Sequence, residues 1–518
     1  MNEFPWLTVL IVVPLVGALV TALLPKASRE TALPKQVALA FSLVTAAVGI
    51  VIATQYSNGD GMQLTETHNW IEPLGVHYAL GVDGLGLMMI LLTVALVPVV
   101  FVASWHEADG RNPAAFFAWA LALQGFALCV FAATDVFLFY VVFEATLIPA
   151  YFLIGGFGKE GRGNAALKFL MYQLGGGLVL LAAVIGLYVV SADAGTPSYL
   201  LSDLQQLDMS TTWERWLFVG FMIAFIVKAP LFPLHTWLAD TTEKATPGTS
   251  VLLVCILDKI GTFGMLRFCL GIFPGASEWA TPVVITLALI SIVYGAFLAI
   301  GQDDILRLIG LTSLSHFGFI TLGIFALTTQ GGSGSILYMV NHGVGTAALF
   351  LIAGYLIKRK GTSLISEITG VEKRAPILAG LFLIAGLATL GLPGLSQFVS
   401  EILVMIAAFD YHWWVGAVAV TGIVLAAVYV LWLYQRTMTG PAVPEDEGMR
   451  DLDRRELIAV VPLIAALVFF GFFPQPMLDA VNPTVDSLLQ HVGVTDDPPT
   501  VPAADHDGPD DHTSEEGH

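Results

Sequence analysis

Apolar runs of about 20 residues, the length that crosses ~30 Å of hydrocarbon as a helix, follow one another along almost the whole chain with short polar breaks between them. About fourteen are present: 4–24, 33–53, 80–103, 113–133, 136–155, 165–191, 216–233, 248–270, 279–300, 305–326, 335–357, 377–409 (one broken span), 413–434 and 457–473. The pattern predicts an all-α polytopic membrane protein. The first run lacks a basic opening and is too long for a cleavable signal, so it reads as a retained span. Two spans carry their own breakers: Pro230 and Pro233 in the seventh, and LGLPG (390–394) in the twelfth. Proline offers no N–H and clashes with the preceding turn, and irregular backbone at membrane depth survives only inside protein or beside a hydrated cavity. Interrupted helices at matching places in two halves mark inverted-repeat transporters. Spans four to eight and nine to thirteen then form two inverted five-helix repeats, each with one broken helix. The expected organisation is 1–112 (spans one to three), 113–270 (first repeat), 271–436 (second repeat), 437–473 (loop and last span) and 474–518 (acidic disordered tail).

Composition agrees and adds a direction. A hydrophobic fraction of 56% with only 12% charged residues excludes a soluble globular chain, which carries about a quarter charged residues. The formal charge of −19, from 22 Lys and Arg against 41 Asp and Glu, argues against a nucleic-acid partner, since phosphate binding needs a basic surface. With the N-terminus outside, eighteen of the 22 basic residues fall in loops on the inner side, as the bias of Lys and Arg towards cytoplasmic loops requires. Arg215 and Arg267 fall in outer loops. The count of spans is even, so the C-terminus is outside as well. After Pro474 there are ten acids and no Lys or Arg, which reads as a solvated extension. Its His506, His512 and His518 are irregularly spaced, and no site is assigned to them.

Sorting the charges by depth leaves a small set inside the spans, where a Lys or Asp costs at least ~2.5 kcal/mol and is a functional candidate by default. Glu144 lies in the fifth span, Lys228 just before the prolines of the seventh, and Lys259 in the middle of the eighth with Asp258 beside it. His316 and His342 lie in the tenth and eleventh, and Glu401 follows the break of the twelfth. Buried Lys and Glu change protonation near neutral pH, and His suits a relay between them. Asp258 points about 100° round the helix from Lys259. His235, after Pro233, reads either as an accessory proton group or as a cap for carbonyls freed by the break. Asp135, Asp303 and Asp304 stand at predicted helix N-termini, where an acid stabilises the dipole. Cys129, Cys255 and Cys269 show no CxxC spacing, the histidines within spans are not paired as haem ligands, and no phosphate-binding loop is present. Energy for transport must come from an ion gradient or a partner.

These same residues resemble the antiporter-like membrane subunits of respiratory complex I, and within them the subunit M branch of bacterial NADH:quinone oxidoreductase, counterpart of mitochondrial NADH dehydrogenase subunit 4. The resemblance covers about 81–434 and rests on GVDGLG (81–86), FEATLIP (143–149), KAPLFPLHTW (228–237), DILRLIGLTSLSHFG (304–318), NHG (341–343), LGLPG (390–394) and FVSE (398–401). It implies an ion pair of Glu144 with Lys228, a central proton carrier at Lys259, a relay through His316 and His342, and a terminal proton group at Glu401. It also implies no cofactor on this chain, with FMN, iron–sulfur clusters and a quinone in other subunits. The implied partners are membrane-arm neighbours, L-like and N-like subunits on either side, in the inner membrane. Glu401 separates this branch from the L and N branches and from the related chain of Mrp-type cation/proton antiporters, where Lys is usual. Asp258 departs from a mostly apolar family pattern. An Mrp-type antiporter subunit, a membrane subunit of a related hydrogenase and a passive assembly subunit remain the alternatives.

Overall fold

The computed structural model of the protein describes residues 4–25, 31–59, 61–195, 197–441 and 443–494. One-turn pieces aside, the helices are α1 (Trp6–Ala22), α2 (Leu33–Gln55), α3 (Gly84–Ala103), α4 (Pro113–Ala132), α5 (Val136–Phe157), α6 (Arg162–Asp193), α7 (Thr211–Lys228), α8 (Thr236–Lys244) and α9 (Pro247–Leu270). They continue as α10 (Pro274–Ile300), α11 (Ile305–Phe325), α12 (Thr329–Lys360), α13 (Pro376–Thr389), α14 (Ser396–Tyr411), α15 (Trp413–Thr437), α16 (Arg454–Phe472) and α17 (Gln475–Val492). Among the described residues, eleven are long and apolar enough to cross a membrane, against the fourteen spans expected. The three further spans expected correspond to α1, an apolar helix of 17 residues, to α7, which carries Glu214, Arg215 and Lys228, and to the two pieces α13 and α14.

Helices that are apolar on every side belong in the interior. In the most apolar stretches of α9 and α11 every residue is buried, whereas α2 buries only 28% of its stretch. The carriers of Lys259 and His316 are therefore the central helices. Start signals agree with the sequence: Asp135 accepts from Leu138 N at 2.9 Å and Asp304 from Arg307 N at 3.0 Å, each as an N-cap. Asp303 is not a cap; it accepts from Ser366 Oγ at 2.6 Å.

Both breaks fall where the prolines and glycines place them. After α7 the chain leaves helix from Ala229 to His235, and Trp237 Nε1 returns to donate to the freed carbonyl of Val227 at 3.1 Å. After α13 it leaves helix from Leu390 to Leu395, and Gln397 Nε2 donates to Thr389 O at 2.8 Å. Each break thus satisfies an open carbonyl with a side chain from the next helix, as an apolar surrounding requires.

The helical membrane fold is the one expected, with one addition: β1 (Gln63–Ile71) and β2 (Val76–Val82) form an antiparallel hairpin between α2 and α3. Two expectations need correction. The segment after Pro474 is not all disordered tail, because Gln475–Val492 is the amphipathic helix α17, burying Met477, Ala480, Val481, Thr484, Val485 and Leu489. Its Thr484 Oγ1 accepts from Gly84 N at 2.9 Å, and a β-carbon at Gly84 would lie 2.0 Å from Ala480 O, so glycine is what lets α17 dock. The tail histidines lie outside the described residues. Arg267 is not a loop residue: it is buried in the last turns of α9 and grips Asp83, the N-cap of α3, with both guanidinium nitrogens at 2.5 and 2.6 Å.

Removing one partner of such a buried pair leaves an uncompensated charge and costs ~3–5 kcal/mol. Arg267→Met is expected to lower the thermal midpoint of the detergent-solubilised protein, and Asp83→Asn added to it is expected to restore most of the loss. A single variant as stable as the parent would show that this pair does not tie α3 to α9.

Candidate functional site

The centre of the site is built by an irregularity in α9. Residues Leu252–Leu257 and Met265–Leu270 follow wider turns, with Asp258 N bonding Leu253 O five residues back at 2.9 Å. Such turns cluster at functional sites because they re-aim side chains. Lys259 emerges between them, fully buried, and its Nζ reaches back to Val254 O at 3.3 Å. It also meets His342 Nδ1 at 2.6 Å and sits 4.4 Å above the Phe317 ring. With Lys259 as an ammonium group, which has only donors, His342 Nδ1 is the acceptor and the imidazole is neutral with its proton on Nε2. The Phe317 face adds a cation–π contact of the kind that strengthens when water is excluded.

From His342 the polar contacts continue through α11, α12 and α14. The rings of His342 and His316 lie 5.1 Å apart. His316 Nδ1 is 2.8 Å from Tyr338 Oη, and Tyr338 Oη donates to Glu401 Oε1 at 3.0 Å. Gln397 Nε2, anchored on Thr389 O, lies 3.2 Å from the same Glu401 oxygen and 3.3 Å from His316 Nδ1. Glu401 itself sits over the break: Gly391 has φ +76°, and a β-carbon there would lie 1.8 Å from Glu401 Oε2. The break supplies both the anchoring carbonyl and the space for the carboxylate. Lys259, His342, His316 and Glu401 are thus brought into one buried row.

Glu144 and Lys228 form a second cluster, without the direct ion pair expected of them. Lys228 ends α7, where the helix dipole favours a cation. Its fully buried Nζ donates to Thr146 Oγ1 at 3.1 Å and lies 4.6 Å over Phe143. Among the described residues no ion pair within 4.0 Å joins it to Glu144. Glu144 is half-buried, its Oε1 is a buried acceptor without a partner, and a β-carbon at Gly177 would lie 1.7 Å from that oxygen. The threonine intervenes because Glu144 precedes the kink of α5 while Thr146 occupies it.

Asp258 is buried and its Oδ2 has no partner. It precedes Lys259 on α9 and bonds to neither lysine. His235 joins neither row: its ring packs on Phe232 and Tyr294 at 6.0 and 5.5 Å, and its Nδ1 has no partner, so it does not cap the break through that atom. Outside the spans, Glu107 accepts from Gly248 N at 3.1 Å at the start of α9, and burial raises its carboxyl above the usual range. Among the described residues no group of three His, Cys, Asp or Glu side chains is placed to hold a metal ion.

Three contributors escaped the sequence reading: Thr146, Tyr338 and Gln397. A signal for two of them was present in the spacing. Tyr338 precedes His342 by four residues and Gln397 precedes Glu401 by four, which puts each pair on one helix face.

Comparison with known proteins places this arrangement in a family. The family model described as "NADH:quinone oxidoreductase/Mrp antiporter, TM" matches residues 133–426. NADH-quinone oxidoreductase subunit M of Mycobacterium tuberculosis is 47% identical over 542 aligned positions, covering 97% of either chain. Among solved structures, a chain of respiratory complex I from Thermus thermophilus superposes with a TM-score of 0.86 at 31% identity, covering 94% of this chain and 100% of that one. A chain of the Mrp complex from Dietzia sp. DQ12-45-1b shares the fold, with a TM-score of 0.83 at 21% identity over 95% and 100% of the two chains. With more than half of its residues inside the family model and nearly its whole length aligned to the mycobacterial subunit, the chain belongs to the transmembrane family of NADH:quinone oxidoreductases and Mrp antiporters.

Proposed function

We propose that this multi-pass membrane protein is the subunit M-type proton-pumping subunit of the membrane arm of an NADH:quinone oxidoreductase. The observation that carries the reading is the buried row Lys259, His342, His316, Tyr338, Glu401 on four helices, in which hydrogen bonds join Lys259 to His342 and His316 through Tyr338 to Glu401, and the two imidazole rings between them stand 5.1 Å apart. The acid at its end, Glu401, matches the subunit M pattern. NADH oxidation and quinone reduction, with their FMN, iron–sulfur clusters and quinone, belong to other subunits. The membrane is the inner membrane, both termini lie on its outer side, and L-like and N-like antiporter subunits flank the chain. Residues 113–270 and 271–436 act as two inverted half-channels.

In this reading a proton from the cytoplasm reaches Lys259 through the first half-channel. Glu144, half-buried against Gly177, senses the neighbouring subunit. When its carboxylate moves towards Lys228, that lysine leaves Thr146, and the field at the second buried lysine, Lys259, changes. Lys259 then changes its hold on the proton, which passes through His342 and His316 to Glu401 and outward. Each charge moved outward against 100 mV costs about 2.3 kcal/mol, which the distant redox reaction supplies.

Lys259→Met and Glu401→Gln in the intact complex test the reading. Proton-relay groups contribute ~10²–10⁴-fold, so NADH-driven proton pumping into proteoliposomes is expected to fall at least ~10-fold while the complex assembles normally. Normal assembly with undiminished pumping would contradict it, as would Na⁺-for-proton exchange by a chain that purifies without a quinone reductase.

A second test uses the glycine that seats Glu144. Gly177→Ala is expected to displace the carboxylate and to lower pumping several-fold, while Gly175→Ala, whose β-carbon meets nothing within 4 Å, is expected to be silent. Equal pumping by the two variants would remove Glu144 from the mechanism.

A further inference from the structure

We infer that Tyr338 is itself a catalytic residue of the relay, a hydroxyl that reverses its hydrogen bond to carry the proton from His316 to Glu401. The inference rests on the proton-pumping reading and names a group within it that composition and charge do not reveal.

The argument starts from counting hydrogens. A phenol has one O–H and can also accept. Tyr338 Oη lies 2.8 Å from His316 Nδ1 and 3.0 Å from Glu401 Oε1, and it is fully buried. One hydrogen cannot serve both neighbours, so two arrangements exist. In the first, Glu401 is ionised, Tyr338 donates to it, and His316 donates its Nδ1–H to the phenol oxygen. In the second, Glu401 is protonated and donates to the phenol oxygen, while Tyr338 donates to His316 Nδ1.

The passage of one proton through the chain converts the first arrangement into the second. His316 gains a proton at Nε2, a buried atom without a partner on the ring that faces His342. The Nδ1–H bond breaks and its proton goes to Tyr338 Oη. At the same time the phenol O–H bond breaks and its proton goes to Glu401 Oε1. His316 ends neutral with its proton on Nε2, Tyr338 ends neutral, and Glu401 ends as the neutral acid. A cation and an anion have been replaced by two neutral groups, which a low-dielectric interior favours. After Glu401 passes its proton on, the hydroxyl turns back towards the carboxylate and the imidazole turns to present Nδ1–H again.

The surroundings fix this geometry. Phe319 stacks on the Tyr338 ring with an interplanar angle of 12° and a centroid distance of 6.1 Å. Gln397 is a positioning residue: its amide is tied to Thr389 O at 2.8 Å and supports Glu401 Oε1 at 3.2 Å. Without Tyr338 Oη, His316 Nδ1 has the Gln397 amide as its remaining side-chain neighbour at 3.3 Å, and an amide nitrogen does not pass protons on at neutral pH.

The test uses the intact complex in proteoliposomes with three variants: Tyr338→Phe, 3,5-difluorotyrosine incorporated at position 338, and Glu401→Gln. Fluorination makes the phenol more acidic while keeping its shape. Tyr338→Phe is expected to assemble, to keep NADH oxidation by an artificial acceptor, and to pump at least ~10-fold more slowly. Difluorotyrosine is expected to restore most of the pumping with a displaced pH profile, and Glu401→Gln is expected to lose pumping. Wild-type pumping by Tyr338→Phe beside a silent Glu401→Gln would overturn the relay and leave the function intact. Restoration by difluorotyrosine with the parental pH profile would overturn it too, since a packing role is indifferent to phenol acidity. If Tyr338→Phe does not assemble, the difluorotyrosine profile alone decides. Pumping by Glu401→Gln at the parental rate would defeat the functional reading itself.

Discussion

The contact between Lys259 and His342, 2.6 Å long and sealed from solvent, is the constraint around which the molecule is built. A lone ammonium group in a dry interior is costly, and burying a charge is tolerated only where hydrogen bonds and polarisable faces replace water. Here the replacement is one imidazole nitrogen, one backbone carbonyl and one phenyl face. Each comes at a structural cost. The carbonyl is reached through the wide turns of α9, the imidazole and phenyl ring require α11 and α12 to pack tightly on that helix, and the whole must be screened from lipid. A group held so sparingly responds to small changes in its surroundings, which is the property a pump needs.

The two broken helices solve one problem twice. Each interruption frees a carbonyl, and each is stitched by a side-chain N–H from the following helix, Trp237 in one case and Gln397 in the other. Both intramembrane glutamates are seated over a glycine, Glu144 on Gly177 and Glu401 on Gly391, at separations that no β-carbon permits. The parallel is one of function within structure, because the glycine belongs to a neighbouring helix in the first case and to the break itself in the second. It also separates the clusters in character. Glu401 is enclosed and its Oε1 accepts from Tyr338 and Gln397, while Glu144 stands half-buried with an unpartnered oxygen. The first suits the end of an internal path and the second suits a group that answers to a neighbour.

Much of this was legible in the chain because membrane burial makes charges conspicuous. Hydropathy located the helices, proline and glycine located both interruptions, and six ionisable residues identified the two clusters. What escaped did so for physical reasons. Tyr338, Gln397 and Thr146 are uncharged, and such residues are common enough in membrane helices that only contacts distinguish them. The direct bond between Glu144 and Lys228 was expected from charge and family pattern, yet the kink of α5 presents Thr146 to the lysine instead. Arg267 was assigned to a loop because a charge near a span end is ordinarily solvated, whereas Asp83 from α3 lets it be buried. The acidic bias after Pro474 hid the apolar stripe of α17, whose period only packing against Gly84 makes meaningful.

Lys259 and Glu401 have no contact with one another, so the central claim is that the buried row makes them one titrating system. Infrared difference spectroscopy of the intact complex, comparing the oxidised and NADH-reduced states, measures this directly through a protonated carboxyl band assigned to Glu401 by its loss in Glu401→Gln. The account predicts that this band responds to reduction in the parent and ceases to respond in Lys259→Met. A Glu401 band that responds equally in both would contradict it.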